Sequence, residues 1–399
     1  MSVLDGVRVV ELGNFIAAPT AGRLLADFGA DVVKVERPGT GDELRRWRLH
    51  GGDTSLLFRA LGRNKRSVTL DLRQVDGQRI ARELIARSDV LLENFRPGTL
   101  ERWNLGPDQL RELNPDLVIV RVSGYGQTGP YRDRPGFGGV AEAIGGLRAL
   151  TGYPGQPPTR VGISLADSVA GLYAVIGTLL GLLRRQSTVG GGELVDVALY
   201  EGIYSLMESL VPDFDAFGVV RGPTGSAIPG IAPSNTYPCA DGKYIVISGN
   251  GDAVFQRLMR AIGRPDLAED PALADNAGRV AHVEALDAAI GGWTATQPQE
   301  SAEAALIMAG VPCGPILTAA DLVKDPHLAA RDMLVRHPVR IEGNQVTEVA
   351  FPGVVPKLNA SPGQVRTLGP ELGEHTDTVL AELDIDAGMR ARLREQGVI

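Results

Sequence analysis

The first 125 residues alternate short β-branched runs with amphipathic stretches, and this alternation limits the fold more than any other feature of the chain. The runs are VRVVEL (7–12), DVVKVE (31–36), RSVTLDL (66–72), DVLLENF (89–95) and DLVIVRVSGYG (116–126). Helix-like segments such as TAGRLLADFGA (20–30) and DGQRIARELIARS (76–88) lie between them. Apolar strands separated by helices predict an α/β fold with a parallel sheet covered on both faces. Ligands collect at the carboxyl ends of such strands.

Beyond this region SVAGLYAVIGTLLGLLRR (168–185) is apolar almost all round, and Gly171, Gly177 and Gly181 interrupt it. It is short for a bilayer span and reads as a buried central helix. The strand-like ELVDVALY (193–200) follows, then a Gly/Pro-rich passage at 221–235 that reads as a linker or mobile loop. NTYPCADGKYIVIS (235–248) predicts two strands around an Asp-Gly turn, with mostly helices after it. The expected organisation is a large domain over 1–220, a smaller α+β domain with its linker over 221–330, and a C-terminal part, 331–399, that rejoins the large domain.

With 399 residues, 44% of them hydrophobic, the chain can bury full cores without disulfide or metal staples. Its net charge of −8 argues against wrapping nucleic acid. Cys239 and Cys313 form neither a disulfide framework nor a CxxC site, which fits a reducing cytoplasm. No signal-peptide pattern opens the sequence and no apolar run reaches 18 residues, so a cytoplasmic protein without a membrane partner is expected. Five histidines, at 50, 282, 327, 337 and 375, show no paired ligand spacing, and HExxH and Walker A motifs are absent. No metal site is expected.

Charge is unevenly distributed. Between Lys34 and Arg73 ten cations face five carboxylates, a local +5 that leaves −13 for the remainder. Arginines after strands of an α/β sheet suit a phosphorylated ligand through bidentate bonds, and a solvated charged face is the simpler alternative. Asp167 precedes the apolar helix. It reads either as an ordinary N-cap or as a carboxylate kept ionised by the helix start and aimed at an acyl carbonyl as a nucleophile. Gly162-Ile163-Ser164-Leu165-Ala166 misses the GxSxG nucleophile elbow by one residue, which disfavours a hydrolase with His375 as its base. YIVISGNG (244–251) has Val254 at the third glycine position of the dinucleotide fingerprint.

The ordered set LDGVRVVEL (4–12), ADFGADVVKVERPGTGD (26–42), NKRSVTLDL (64–72), DVLLENFRPGTLERWNLG (89–106), NPDLVIVRVSGYGQTGP (114–130), ADSVAG (166–171), GVPCGP (310–315) and LGEHTD (372–377) resembles the class III (CaiB/BaiF-type) coenzyme A transferases over nearly the whole chain. The resemblance implies a large domain with a Rossmann-like sheet, a smaller second domain and an interlocked homodimer. It implies no tightly bound cofactor, with coenzyme A arriving as an acyl-CoA co-substrate and a carboxylic acid as its partner. The family's nucleophile falls on Asp167, which would form an aspartyl anhydride and then an aspartyl-CoA thioester; the loop over such intermediates would lie within 221–230. Ile16, Ala17, Arg37, Leu70, Arg73, Asn94, Phe95, Arg96 and Arg102 match positions that hold coenzyme A in the family. Relatives often carry an aspartate where this chain has Gly138. The family's 2-methylacyl-CoA racemases place a catalytic histidine where Phe137 stands, so transfer is favoured over racemisation; a non-catalytic CoA-binding protein is the third alternative. Arg46, Arg160 and Arg221 are candidates for a second substrate carboxylate if the acid is a dicarboxylate such as succinate.

Overall fold

The computed structural model describes residues 2–188, 190–341 and 345–399. The N-terminal alternation becomes β1 (Arg8–Glu11), β2 (Asp31–Glu36), a short hairpin of β3 (His50–Gly51) and β4 (Thr54–Ser55), then β5 (Lys65–Thr69), β6 (Val90–Glu93), β7 (Val118–Ser123) and β8 (Leu194–Ala198). The six longer strands form one sheet in the order β5-β2-β1-β6-β7-β8. Every neighbouring pair is parallel, with Val9 opposite Val32 on one side and Val90 on the other. This is the order of a doubly wound sheet. Its winding reverses between β1 and β6, which opens a crevice beyond their carboxyl ends.

Both faces of the sheet are covered, as its β-branched residues require. Val10, Val33, Val35, Val68 and Leu91 share a core with Ile80 and Leu84 of the Val75–Ala86 helix and with Val379, Leu380 and Leu393 near the C-terminus. The last residues thus return to the sheet, and 326–399 belong to one compact unit with residues up to 147 and 160–220.

The expected all-round buried helix is instead one-sided. In the Leu165–Gln186 helix one side buries Ala166, Val169, Ala170, Ala174 and Leu182, while Leu172, Ile176, Leu180 and Leu183 on the other side are exposed. The three glycines explain the asymmetry. A β-carbon would lie 2.8 Å from Thr20 Cβ at Gly171, 2.4 Å from Val195 Cγ1 at Gly177 and 2.6 Å from Val118 Cγ1 at Gly181, so the helix lies flush on its neighbours on that side only. By length and composition alone this helix could cross a membrane, with 44% of its apolar window buried in the fold.

The second unit comprises 148–159 and 221–325, so it includes a stretch that the expected boundary at 220/221 does not. Its sheet contains β9 (Ser234–Pro238), β10 (Tyr244–Ser248) and β11 (Cys313–Pro315), all antiparallel. Tyr237, Ile245, Ile247, Phe255, Leu258, Leu286 and Leu306 form its core. Back in the first unit, β12 (Leu334–Arg340) and β13 (Val346–Pro352) pair antiparallel.

Candidate active site

The crevice at the switch point is built by side chains that tie loops to strands. Asn94, just past β6, accepts a hydrogen bond from the Asn14 backbone N–H at 2.8 Å and donates to the Asn14 carbonyl at 2.7 Å. Lys34 donates to the Gly13 carbonyl at 2.6 Å while its ammonium pairs with Glu11 and Asp42, each at 2.9 Å. Asp42 in turn accepts from the Phe15 N–H at 3.1 Å. These buried bonds hold Phe15 at φ +62°, a backbone region that disfavours side-chain-bearing residues. Phe15 packs edge-on to Phe137 at 5.8 Å and lies 5.4 Å from Trp47.

The basic stretch is not a row of free cations. Lys34 and Lys65 pair with Glu11, Arg45 with Glu36 and Arg63 with Asp27, all nearly inaccessible to solvent. Charges this deep cost several kcal/mol each unless they are paired, so the sequence places opposite charges together and much of the local +5 is consumed internally. Arg37 remains exposed beside a cavity of about 90 Å³, lined also by Asn14, Leu70, Arg73, Phe95 and Trp103. Arg73 binds Asp71 through two bonds of 2.9 and 2.8 Å and holds that carboxyl down to about 2. Phe95 and Trp103 meet edge to face at 5.1 Å.

Other expected ligand positions are distributed differently. Arg96 is exposed, and Arg102 is exposed and donates to Thr99 Oγ1. Ile16 and Ala17 are buried, Ile16 packing against Leu44 and Phe58. A larger cavity of about 340 Å³, lined by Arg59, Lys65, His337 and His375, opens beside Lys65 at the amino end of β5, away from the crevice. His375 is structural: its Nδ1 accepts from the Ser67 N–H, at the start of the Thr376–Glu382 helix.

Asp167 is the third residue of the Leu165–Gln186 helix rather than its N-cap, which is Ser164. Its carboxylate lies against the first residue of the Gly138–Ile144 helix: a β-carbon on Gly138 would come within 2.0 Å of Asp167 Oδ2. One helical turn further on stands Glu142, fully buried, with Oε2 3.6 Å from Arg160 Nε.

The ionisation of Asp167 is not set by the helix start alone. Burial, reinforced by the negative charge of Glu142 and opposed by Arg160, pushes the Asp167 carboxyl up to about 6. Desolvation and a like charge outweigh the helix dipole, which is worth at most ~2 kcal/mol. Glu142 and Trp103 were not foreseen beside these residues. The acid in an otherwise small and apolar helix, GGVAEAI, was the available signal for Glu142.

A part-buried carboxylate at the start of a helix, in a chain built on a doubly wound sheet, restricts the chemistry, and the profile of CoA-transferase family III matches residues 4–376. The chain belongs to that family. It is 46% identical over 381 residues to the succinyl-CoA–D-citramalate CoA-transferase of Chloroflexus aurantiacus, covering 95% of this chain and 94% of that one. The succinyl-CoA–L-malate CoA-transferase β subunit of the same organism is 44% identical over 385 residues, with the same coverages. Among solved structures, a CaiB/BaiF family protein from Brucella suis superposes with a TM-score of 0.84 at 35% identity, over 96% of this chain and all of that one. The protein is thus an enzyme, an acyl-CoA:carboxylate CoA-transferase. Among the described residues no cluster of His, Cys, Asp and Glu could hold a metal ion.

Proposed function

We propose that this transferase moves coenzyme A from succinyl-CoA to a second carboxylic acid through covalent intermediates on Asp167. The observation that carries the reading is the Asp167 carboxylate, mostly buried against Gly138 in a chain whose relatives include succinyl-CoA-dependent transferases. An Asp167 oxygen attacks the thioester carbonyl; the C–S bond breaks and CoA thiolate leaves, giving a mixed anhydride. The thiolate attacks the Asp167 carbonyl of that anhydride, releasing the first acid as its carboxylate and leaving an aspartyl-CoA thioester. The acceptor carboxylate attacks this thioester, and the expelled thiolate then attacks the acceptor's carbonyl, which regenerates Asp167. No net proton moves, so a carboxylate titrating near 6 serves at neutral pH without an added base.

Coenzyme A would lie along the carboxyl ends of β1, β2, β5 and β6, its adenine near Phe95, Trp103 and Leu70 and its phosphates near Arg37, Arg73, Arg96 and Arg102. Asn94 and the backbone at Ile16 and Ala17 would shape the crevice. Phe137, 62% exposed next to Gly138, has no group to exchange a proton, which favours transfer over racemisation. The exposed apolar side of the Leu165–Gln186 helix suits self-association as a homodimer, and the unpaired cysteines suit the cytoplasm.

Hydroxylamine added during turnover should mark the Asp167 peptide as a hydroxamate by mass, and Asp167→Ala should abolish transfer while still binding acyl-CoA. Turnover in that variant, or labelling at another residue, would overturn the mechanism. Deuterium entry at the α-carbon of a branched acyl-CoA without a co-acid would support the racemase instead.

A further inference from the structure

We propose that Arg160 binds the second carboxylate of the substrate and makes this active site selective for dicarboxylic acids as both CoA donor and acceptor. The proposal deepens the transfer reading above and rests on it. Three ionisable side chains meet beside Gly138: Asp167, Glu142 and Arg160. Phe137 directly precedes Gly138, and with Phe15 and Trp47 it makes the neighbouring surface aromatic. In such surroundings a cation decides which anions are accepted.

Arg160 is positioned for this role. Glu142 is buried and fixes the guanidinium at Nε, while the arginine side chain is 51% exposed. The contact is at Nε, and among the described residues the two terminal nitrogens, which grip a carboxylate in bidentate fashion, donate no hydrogen bond and are available. Its positive charge also reaches Asp167, where it favours the ionised carboxylate.

The chemistry makes a cation necessary. During transfer the reacting carboxylate is neutralised as anhydride or thioester, but the distal carboxylate of a succinyl group stays ionised throughout. Near Glu142 and Asp167 it would be repelled by like charges unless a guanidinium received it. A monocarboxylic acyl group carries no distal charge and gains nothing from the guanidinium, so the site discriminates by attraction to Arg160.

The test compares matched acyl groups. Exchange of labelled succinate into succinyl-CoA and of labelled butyrate into butyryl-CoA are measured for the full-length wild type, Arg160→Gln and Arg160→Lys. The assay is run at pH 8, where Asp167 is ionised with or without Arg160. The wild type should prefer the succinyl pair, and Arg160→Gln should lose about 10- to 100-fold more kcat/KM on succinyl than on butyryl exchange. Arg160→Lys should recover part of the difference. Equal losses on both pairs, an unaffected succinyl rate, or a wild type without preference for succinate would overturn the proposal. If the wild type exchanges neither pair, the transfer reading itself fails. The subsite is then read by binding alone: Asp167→Ala should bind succinyl-CoA more tightly than butyryl-CoA, and adding Arg160→Gln should remove that preference. A preference that survives, or one that never existed, would overturn the subsite on its own.

Discussion

Asp167 Oδ2 occupies the space in which a β-carbon of residue 138 would lie, 2.0 Å from its ideal position. The nucleophile candidate and Gly138 are therefore coupled sterically. Gly138 has an ordinary negative φ, so its absent side chain matters through space rather than through backbone freedom. Gly138→Ala should lower kcat by about 100-fold, because displacement of a reacting atom by about 1 Å is that costly. The KM for acyl-CoA should change little, since the CoA crevice lies at other strand ends. Steady-state kinetics with both parameters resolved check this, and an unchanged kcat would show that Asp167 relaxes without penalty.

The raised proton affinity of Asp167 predicts an acid limb in the rate. Only the ionised carboxylate attacks, so kcat/KM should rise tenfold per pH unit below about 6 and level off above it. Glu142 contributes to that upward push, so Glu142→Gln should move the limb to lower pH. A profile with its midpoint near 4 in the wild type would mean that solvent reaches Asp167 freely.

The same environment has a stability consequence with a definite sign. A carboxyl whose folded pKa is about 6, above its ordinary 3.8, binds its proton more tightly when folded. Its ionisation therefore destabilises the fold, with no penalty below about pH 4 and the full penalty above about pH 6. Asp167→Asn should stabilise the enzyme at pH 8 by about 2–3 kcal/mol, and by much less at pH 4, while removing transfer activity. Denaturant melts at the two pH values measure the difference.

The buried charges beneath the crevice should be intolerant of single deletions. Lys34→Met removes one of the two cations paired with Glu11, the cation paired with Asp42 and the donor to the Gly13 carbonyl. A loss of about 3–5 kcal/mol in unfolding free energy is expected. Because Gly13 and Phe15 are held by the same group of bonds, the KM for acyl-CoA should also rise. Urea titration and kinetics at a permissive temperature separate the two effects.

At the proposed adenine position, Trp103→Ala should raise the KM for acyl-CoA by about 10-fold, with kcat nearly preserved. Loss of one aromatic stacking partner for a base has roughly that magnitude. Direct titration with CoA offers the independent check.

The path from sequence to site was legible wherever information is local. β-branched runs separated by helical periodicity specified the parallel sheet, since burial on both faces leaves a mark on every residue of a strand. Asp167, Arg37, Phe95 and Asn94 were each singled out from short motifs. Less legible was what surrounds them. Glu142 lies 25 positions before Asp167 and belongs to a different helix, so no periodicity links the two. The glycine-marked helix shows the same limit: its composition indicated burial on all sides, but only contacts with Thr20, Val118 and Val195 reveal that one side is covered.

The sequence by itself determined the alternating α/β architecture and the membership in CoA-transferase family III, both written in contiguous motifs. Tertiary structure alone decided the fate of the charges. Glu11 and Lys65 are 54 residues apart yet meet at 2.7 Å, so cations that look available in the sequence are consumed in the interior. It also decided the ionisation of Asp167. Desolvation and Coulomb interaction depend on distance in space, and the linear order of residues does not record that distance.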